Sequence, residues 1–192
     1  MNGVRTTTGG ILIAVEGIDA DAILKAARTA LESRARGGIS RWDASGVFQD
    51  LAVAESEAGT PSPRTLLLLY AADLAFRLRW QIRPALLEGR TVVAAPYTET
   101  AMAFGRAAGL PVAWLTNLFR FAPHPGERRF IHAPRQRASE ITDGFVGFSC
   151  DRMTGGNRYK RQRRRLIDSA AAELRRTDKS SAARRPAARR RT

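Results

Sequence analysis

The residues best placed to do chemistry stand near the start of the chain. Gly10–Val15 (GILIAV) is an apolar run rich in β-branched residues that closes on Glu16-Gly17, as a buried strand running into a turn does. Asp21–Arg36 follows, with Ile23, Ala27, Ala30 and Leu31 on one face and Lys25, Arg28 and Glu32 elsewhere. That is an amphipathic helix, and Gly37-Gly38 ends it. A strand, a glycine turn and a helix in this order can hold an anion on backbone N–H groups at the helix start. A second concentration of charge is Arg158–Arg165 (RYKRQRRR), where Arg158, Lys160, Arg161, Arg163, Arg164 and Arg165 surround one tyrosine. Such a run suits a phosphate backbone through counterion release. It equally suits a solubilising tail, or contact with an acidic protein or membrane surface, and no base-reading motif accompanies it. Metal chemistry is not expected. Cys150 is the single cysteine, and His124 and His132 stand far from other ligand types.

These residues need a scaffold. Ile39–Trp42 reads as a short strand, Gly46–Glu57 as a helix and Gly59–Pro63 as a loop. Ser62-Pro63 opens a long helix to Leu87, since serine caps well and proline fits the first turn. Pro84 lies inside that helix, so a kink or break is expected near Arg83. Arg90–Ala95 is an apolar strand stopped by Pro96. Helices over Thr98–Ala108 and Val112–Phe121 flank the break at Gly109-Leu110-Pro111. Arg129–His132 is a candidate strand and Tyr159–Leu174 a helix with a basic first half. Continuous apolar strands alternating with helices imply a parallel sheet covered on both faces.

Length and composition agree with one domain and a tail. The chain has 192 residues, of which 44% are hydrophobic, enough for a sizeable core. Its net charge of +14 is uneven: residues 135–192 hold seventeen Lys/Arg against six Asp/Glu. From Thr177 only Arg, Ala, Ser, Lys, Asp, Pro and Thr occur, a composition that builds no core and predicts disorder. The expected organisation is a domain over 1–174 and a disordered basic tail over 175–192. No apolar run approaches the ~20 residues of a membrane-spanning helix. No apolar stretch of signal-peptide length precedes the first strand, so a cytoplasmic location is expected.

Three segments resemble one family. Gly10–Leu24 (GILIAVEGIDADAIL) is similar to the opening of thymidylate kinases, a strand followed by E-G-[IVL]-[DE]-x-x-G-K-[ST]. Ser62–Gly89 (SPRTLLLLYAADLAFRLRWQIRPALLEG) resembles that family's S-P-x-T-E-x-L-L-F-A-A-D-R stretch with its I-x-P-A-L-x-x-G continuation. Thr91–Phe104 (TVVAAPYTETAMAF) resembles its W-V-I-x-D-R-[YF]-x-x-S-x-x-A-Y strand and helix. Asn117–Ala122 resembles the end of the following helix, and Arg158–Leu174 echoes the helix after the family's lid. The resemblance implies a three-layer P-loop NTPase fold with a mostly parallel central sheet, here carrying a basic C-terminal extension. It also implies a homodimer through the long helix, with Leu74 and Trp80 as interface candidates.

The departures from the family fall on the phosphate-handling positions. Gly17 keeps the first glycine of the loop. Ala22, Ile23 and Leu24 stand where the second glycine, the lysine and the metal-binding Ser/Thr belong. Lys25 is two positions late, about 200° around the helix. Ala95-Pro96 replaces the family's D-R, and Leu74 replaces the arginine of A-A-D-R. Only Arg41 persists from the R-E-P-G-G loop, and the lid, last strand and last helix have no clear counterpart. What persists lies on the acceptor side. Asp19 matches an acidic residue near the nucleoside sugar, Tyr70 matches the aromatic that stacks on the base, and Tyr97 matches the aromatic after D-R. Each also has a plainer reading: Asp19 as a helix cap, Arg41 as a solvated residue, Tyr70 as core, Gly17 as the glycine a tight turn wants.

Phosphoryl transfer depends on positioning and charge neutralisation, and the replacements are mostly apolar. The expectation is therefore a thymidylate-kinase-like protein that has lost catalysis and acts by binding a nucleotide or a partner. Two alternatives stand beside it. One is a divergent but active dTMP kinase, the only reading that calls for ATP and Mg²⁺. The other is a nucleic-acid-associated accessory protein.

Overall fold

The computed structural model describes residues 9–32, 34, 36–41, 62–132 and 156–183. Four strands form the sheet: β1 (Leu12–Gly17), β2 (Gly37–Arg41), β3 (Thr91–Ala95) and β4 (Glu127–Ile131). Their order is β2-β3-β1-β4, and every neighbouring pair is parallel. The expected adjacency of the first strand and the strand ending at Ala95 is met, with Ile13 opposite Val93 and Ala14 opposite Ala94. β1 and β3 are buried along their whole lengths, as strands covered on both faces must be.

Alternation along these strands separates two cores. Ile13, Val15, Val93 and Ala95 point to one face, where α1 (Ala20–Glu32) lays down Ile23, Ala27 and Ala30. Leu12, Ala14, Val92 and Ala94 point to the other, larger core. That face is covered by α2 (Pro63–Arg77), α4 (Thr98–Ala107), α5 (Val112–Phe119) and α6 (Gly156–Ala183).

The long helix starts as its sequence predicts. The Ser62 side chain accepts the Thr65 N–H, and Pro63 sits in the first turn. Its predicted break takes the form of a π turn over Leu78–Ile82, followed by α3 (Arg83–Leu87). Pro84 offers no N–H and its ring crowds the carbonyl a turn earlier. Widening the turn absorbs this, and the Arg83 N–H reaches back to Leu78 O.

Two expectations need correction. Leu74, an interface candidate, is fully buried in the larger core with Leu67, Tyr70 and Leu78. Its helix turns that face to the sheet, so Leu74 has no surface to offer a partner. The tail expected to be disordered from Thr177 is helical to Ala183. Burial of Ile167, Ala170 and Leu174 docks α6. Arg106 then ties it down, with Nε on Glu173 at 3.1 Å and Nη2 on the Thr177 hydroxyl at 3.1 Å. His132 Nε2 lies 2.8 Å from Asp178 Oδ2. The helix expected over Gly46–Glu57 lies outside the described residues, as do residues 184–192. Among the described residues no helix is long and apolar enough to cross a membrane.

Candidate functional site

Parallel strands deliver their carboxyl ends to one edge of the sheet, and in open α/β sheets ligands bind outside that edge. Here the edge is formed by Gly17, Arg41, Ala95 and Ile131, and the helices α1 and α4 begin on it.

Glu16 organises the edge. It is fully buried on β1, and its carboxylate faces the first turn of α4. Oε2 accepts the Tyr97 N–H at 3.2 Å, the Thr100 N–H at 3.0 Å and the Thr100 hydroxyl at 2.7 Å. Oε1 accepts the Glu99 N–H at 3.1 Å. The Thr100 hydroxyl oxygen in turn receives the Gly17 N–H at 3.0 Å. A strand residue thus caps a helix more than eighty positions away in sequence. Negative charge at a helix N-terminus is favourable, and Tyr97, the residue in the cap position, makes no side-chain cap of its own. Burial pushes the Glu16 carboxyl above its ordinary value of 4.5, against the lowering effect of its bonds to Thr100 and Glu99.

The glycine turn after β1 is short. Ile18 and Asp19 alone separate Gly17 from α1. Asp19 caps the helix: its Oδ1 accepts the Ala22 N–H at 3.0 Å, and its carbonyl accepts the Ile23 N–H at 2.9 Å. Ile23 is buried among Ile13, Val15 and Val93. Its Cγ1 would lie 3.0 Å from any Cβ placed on Gly17, as would Ile131 O, so only glycine fits there without a shift. Leu24 is half-buried and Lys25 exposed.

Tyr70 and Tyr97, both ligand candidates by sequence, are brought together in the core. Tyr70 is fully buried; its hydroxyl lies 2.8 Å from Tyr97 O and 3.2 Å from Pro96 O, and its ring meets Phe119 edge-on at 5.9 Å. The Tyr97 ring is buried and its hydroxyl donates to Pro123 O at 2.9 Å. Burial raises both phenols well above their ordinary range. Arg41 is exposed at the end of β2, beside Ala95. The candidates Gly17, Asp19, Arg41 and Tyr97 lie at the carboxyl edge of the sheet, and sequence reasoning missed the buried charges there, Glu16 and Arg77. A signal existed for each. Glu16 interrupts an otherwise apolar strand, and Arg77 stands four residues after Asp73 on a face shared with Tyr70, the spacing of a helical ion pair. Arg158, Lys160, Arg161, Arg163 and Arg164 lie on the backbone of α6, and Arg165 is exposed. Among the described residues no group of His, Cys, Asp and Glu could hold a metal ion.

The all-parallel sheet, the glycine turn after its central strand and the helices on both faces define a three-layer α/β fold of the P-loop kinase class. Comparison with known proteins narrows this. The chain is 30% identical over 131 residues to a probable thymidylate kinase of Caldivirga maquilingensis, covering 65% of this chain and 63% of that one. It is 29% identical over 116 residues to one of Pyrobaculum calidifontis, covering 60% of each chain. It is 32% identical over 126 residues to the thymidylate kinase of Xanthomonas campestris pv. campestris, covering 64% and 56%. The protein is thymidylate-kinase-like. The matched region spans about 60% of the length of these relatives. No family model matches the chain.

Proposed function

We propose that this thymidylate-kinase-like protein does not transfer phosphate and acts by binding a nucleotide-like ligand or a partner. The observation that carries the reading is the start of α1. A phosphate loop works by leaving backbone N–H groups free to wrap the anion, with a lysine reaching the outer phosphates. Here the Ala22 N–H is already given to the Asp19 carboxylate and the Ile23 N–H to the Asp19 carbonyl. A phosphate arriving there meets a carboxylate and a buried isoleucine in place of donors and a lysine. The apolar replacements at Leu24, Leu74, Ala95 and Pro96 support the same reading.

The test is a coupled assay with ATP, dTMP and Mg²⁺ at high protein concentration. No turnover above background is expected. Mg²⁺-dependent turnover proportional to protein would overturn the proposal and establish the active dTMP kinase instead.

Three further elements belong to the proposal. Phe76 and Trp80 remain 60% and 62% exposed although their rings pair at 6.4 Å, which supports a homodimer through α2 and the π turn. Sedimentation at micromolar concentration checks it. The basic run of α6 suits weak, sequence-independent binding to nucleic acid, whose affinity should fall with salt by about 0.9 in log K per neutralised phosphate of duplex DNA. A cytoplasmic location accompanies the nucleotide-binding reading.

A further inference from the structure

The basic run of the sequence is helical, and it is one piece with a docked segment. The first ten residues of α6, 156–165 (GNRYKRQRRR), hold six Lys/Arg and no Asp/Glu. At 1.5 Å of rise per residue, the six cations of residues 158–165 occupy about 12 Å of helix. Among the described residues, the contacts that dock α6 run from Leu166 to Asp178. Leu166, Ile167, Ala170 and Leu174 meet the larger core, Arg106 holds Glu173 and Thr177, and His132 meets Asp178. The cationic turns continue from that segment without a break in the helix. They are destabilised by their own charges. Lys160 and Arg164, and Arg161 and Arg165, stand four positions apart, where like charges repel along a helix. Cations at the amino end also oppose the helix dipole. A polyanion relieves both.

Three properties select the polyanion. Duplex DNA carries one negative charge per about 1.7 Å of its axis, so about 12 Å of duplex sets about seven phosphates against six cations. An α-helix is about 10–12 Å across. The major groove of B-DNA is about 12 Å wide and admits it, whereas that of duplex RNA is deep and narrow. Single strands are held on aromatic platforms, and membrane surfaces by a helix with an apolar face. Residues 156–165 include one aromatic residue, Tyr159, and no aliphatic one.

We propose that residues 156–165 of α6 are a preformed helical arm that lies in the major groove of duplex DNA and contacts phosphates on both sides without reading bases. The proposal rests on the nucleic-acid reading of the basic run given above. It adds the form of the nucleic acid and the need for the helix.

The experiment measures binding of the full chain to a short DNA duplex, to one of its single strands, to duplex RNA of the same sequence and to phosphatidylserine vesicles, between 50 and 200 mM salt. Duplex DNA should bind on the order of tenfold tighter than the single strand or duplex RNA. Gln162→Pro interrupts the helix and keeps every charge; it should lose about tenfold for duplex DNA, and Gln162→Ala should lose nothing. Alanine at Arg161, Arg163, Arg164 and Arg165 together should flatten the slope of log K against log salt by about 3.6, about 0.9 for each lost contact. Equal affinity for duplex DNA and either other nucleic acid overturns the proposal and leaves the nucleic-acid reading standing. So does a Gln162→Pro chain that binds duplex DNA as wild type does. Tighter binding to the vesicles than to duplex DNA also overturns it. If Gln162→Pro does not fold, the wild-type preference among the three nucleic acids decides. Binding to none of them removes the reading and the proposal together.

Discussion

Two helices begin on the carboxyl edge of the sheet, and they are capped in opposite ways. The first turn of α1 is capped from within, by Asp19, three residues before the N–H it binds. The first turn of α4 is capped from outside, by Glu16 of β1, which takes three backbone N–H groups and the Thr100 hydroxyl. A local cap asks nothing of the tertiary structure. A remote cap ties two layers together, and its loss is felt by the whole fold. The glycine turn is a locally capped joint, while the start of α4 at the same edge is held by a buried carboxylate.

Removing Glu16 should break this contrast most severely. Glu16→Ala leaves the N–H groups of Tyr97, Glu99 and Thr100 buried without an acceptor, each costing about 1–3 kcal/mol. A loss of about 4 kcal/mol in urea unfolding is expected, and a loss below about 1 kcal/mol would show that the remote cap is dispensable. The pH dependence carries a sign. Burial raises the folded-state carboxyl above 4.5, so the folded chain binds the proton more tightly than the unfolded one. The stability this proton linkage contributes is present below about pH 4.5 and is lost as pH rises through the folded value. Destabilisation by Glu16→Gln should accordingly be greater near pH 4.5 than near pH 7.5, measured as the difference from wild type at each pH.

Ile23→Lys places a lysine in the first turn of α1, and tests the proposed loss of the phosphate site there. Ile23 is 5% exposed in the apolar layer under α1. A lysine there must desolvate or leave, so a loss of about 3 kcal/mol is expected with no gain in phosphoryl transfer. Turnover appearing in this variant would mean that the joint opens readily.

Asp19→Ala should have the smallest effect, about 1 kcal/mol, the ordinary worth of a helix cap. Asp19→Asn should be nearly neutral, since asparagine caps as well. Hydrogen exchange should report the Asp19→Ala change only in the first turn of α1. Protection lost across β3 or α4 would erase the distinction between the two caps.

Much of this was legible in the residues. The apolar runs ending at Glu16 and Ala95 marked the two central strands. Ser62-Pro63 marked the start of α2, and Pro84 marked its break. The plainer readings of Asp19 as a cap and Tyr70 as a core ring describe where the structure places them. The disorder expected from Thr177 failed at 177–183 because composition scores a segment alone. The docked half of α6 lends those residues a surface to fold against, through Arg106 and His132.

By itself the sequence determined the order of strands and helices and the local cap at Asp19. These depend on residue type and on neighbours a few positions away, so short-range pattern suffices. Tertiary structure alone decided that Glu16 caps α4, that Leu74 is core and that Arg77 is buried with its guanidinium on Asp73 and Ser40. Each depends on which helix packs over which strand, with Thr100 of α4 docked on Glu16 and Arg77 of α2 docked on Ser40. That docking is fixed only when the strands pair and the helices settle on them, because the partners lie tens of positions apart in the chain.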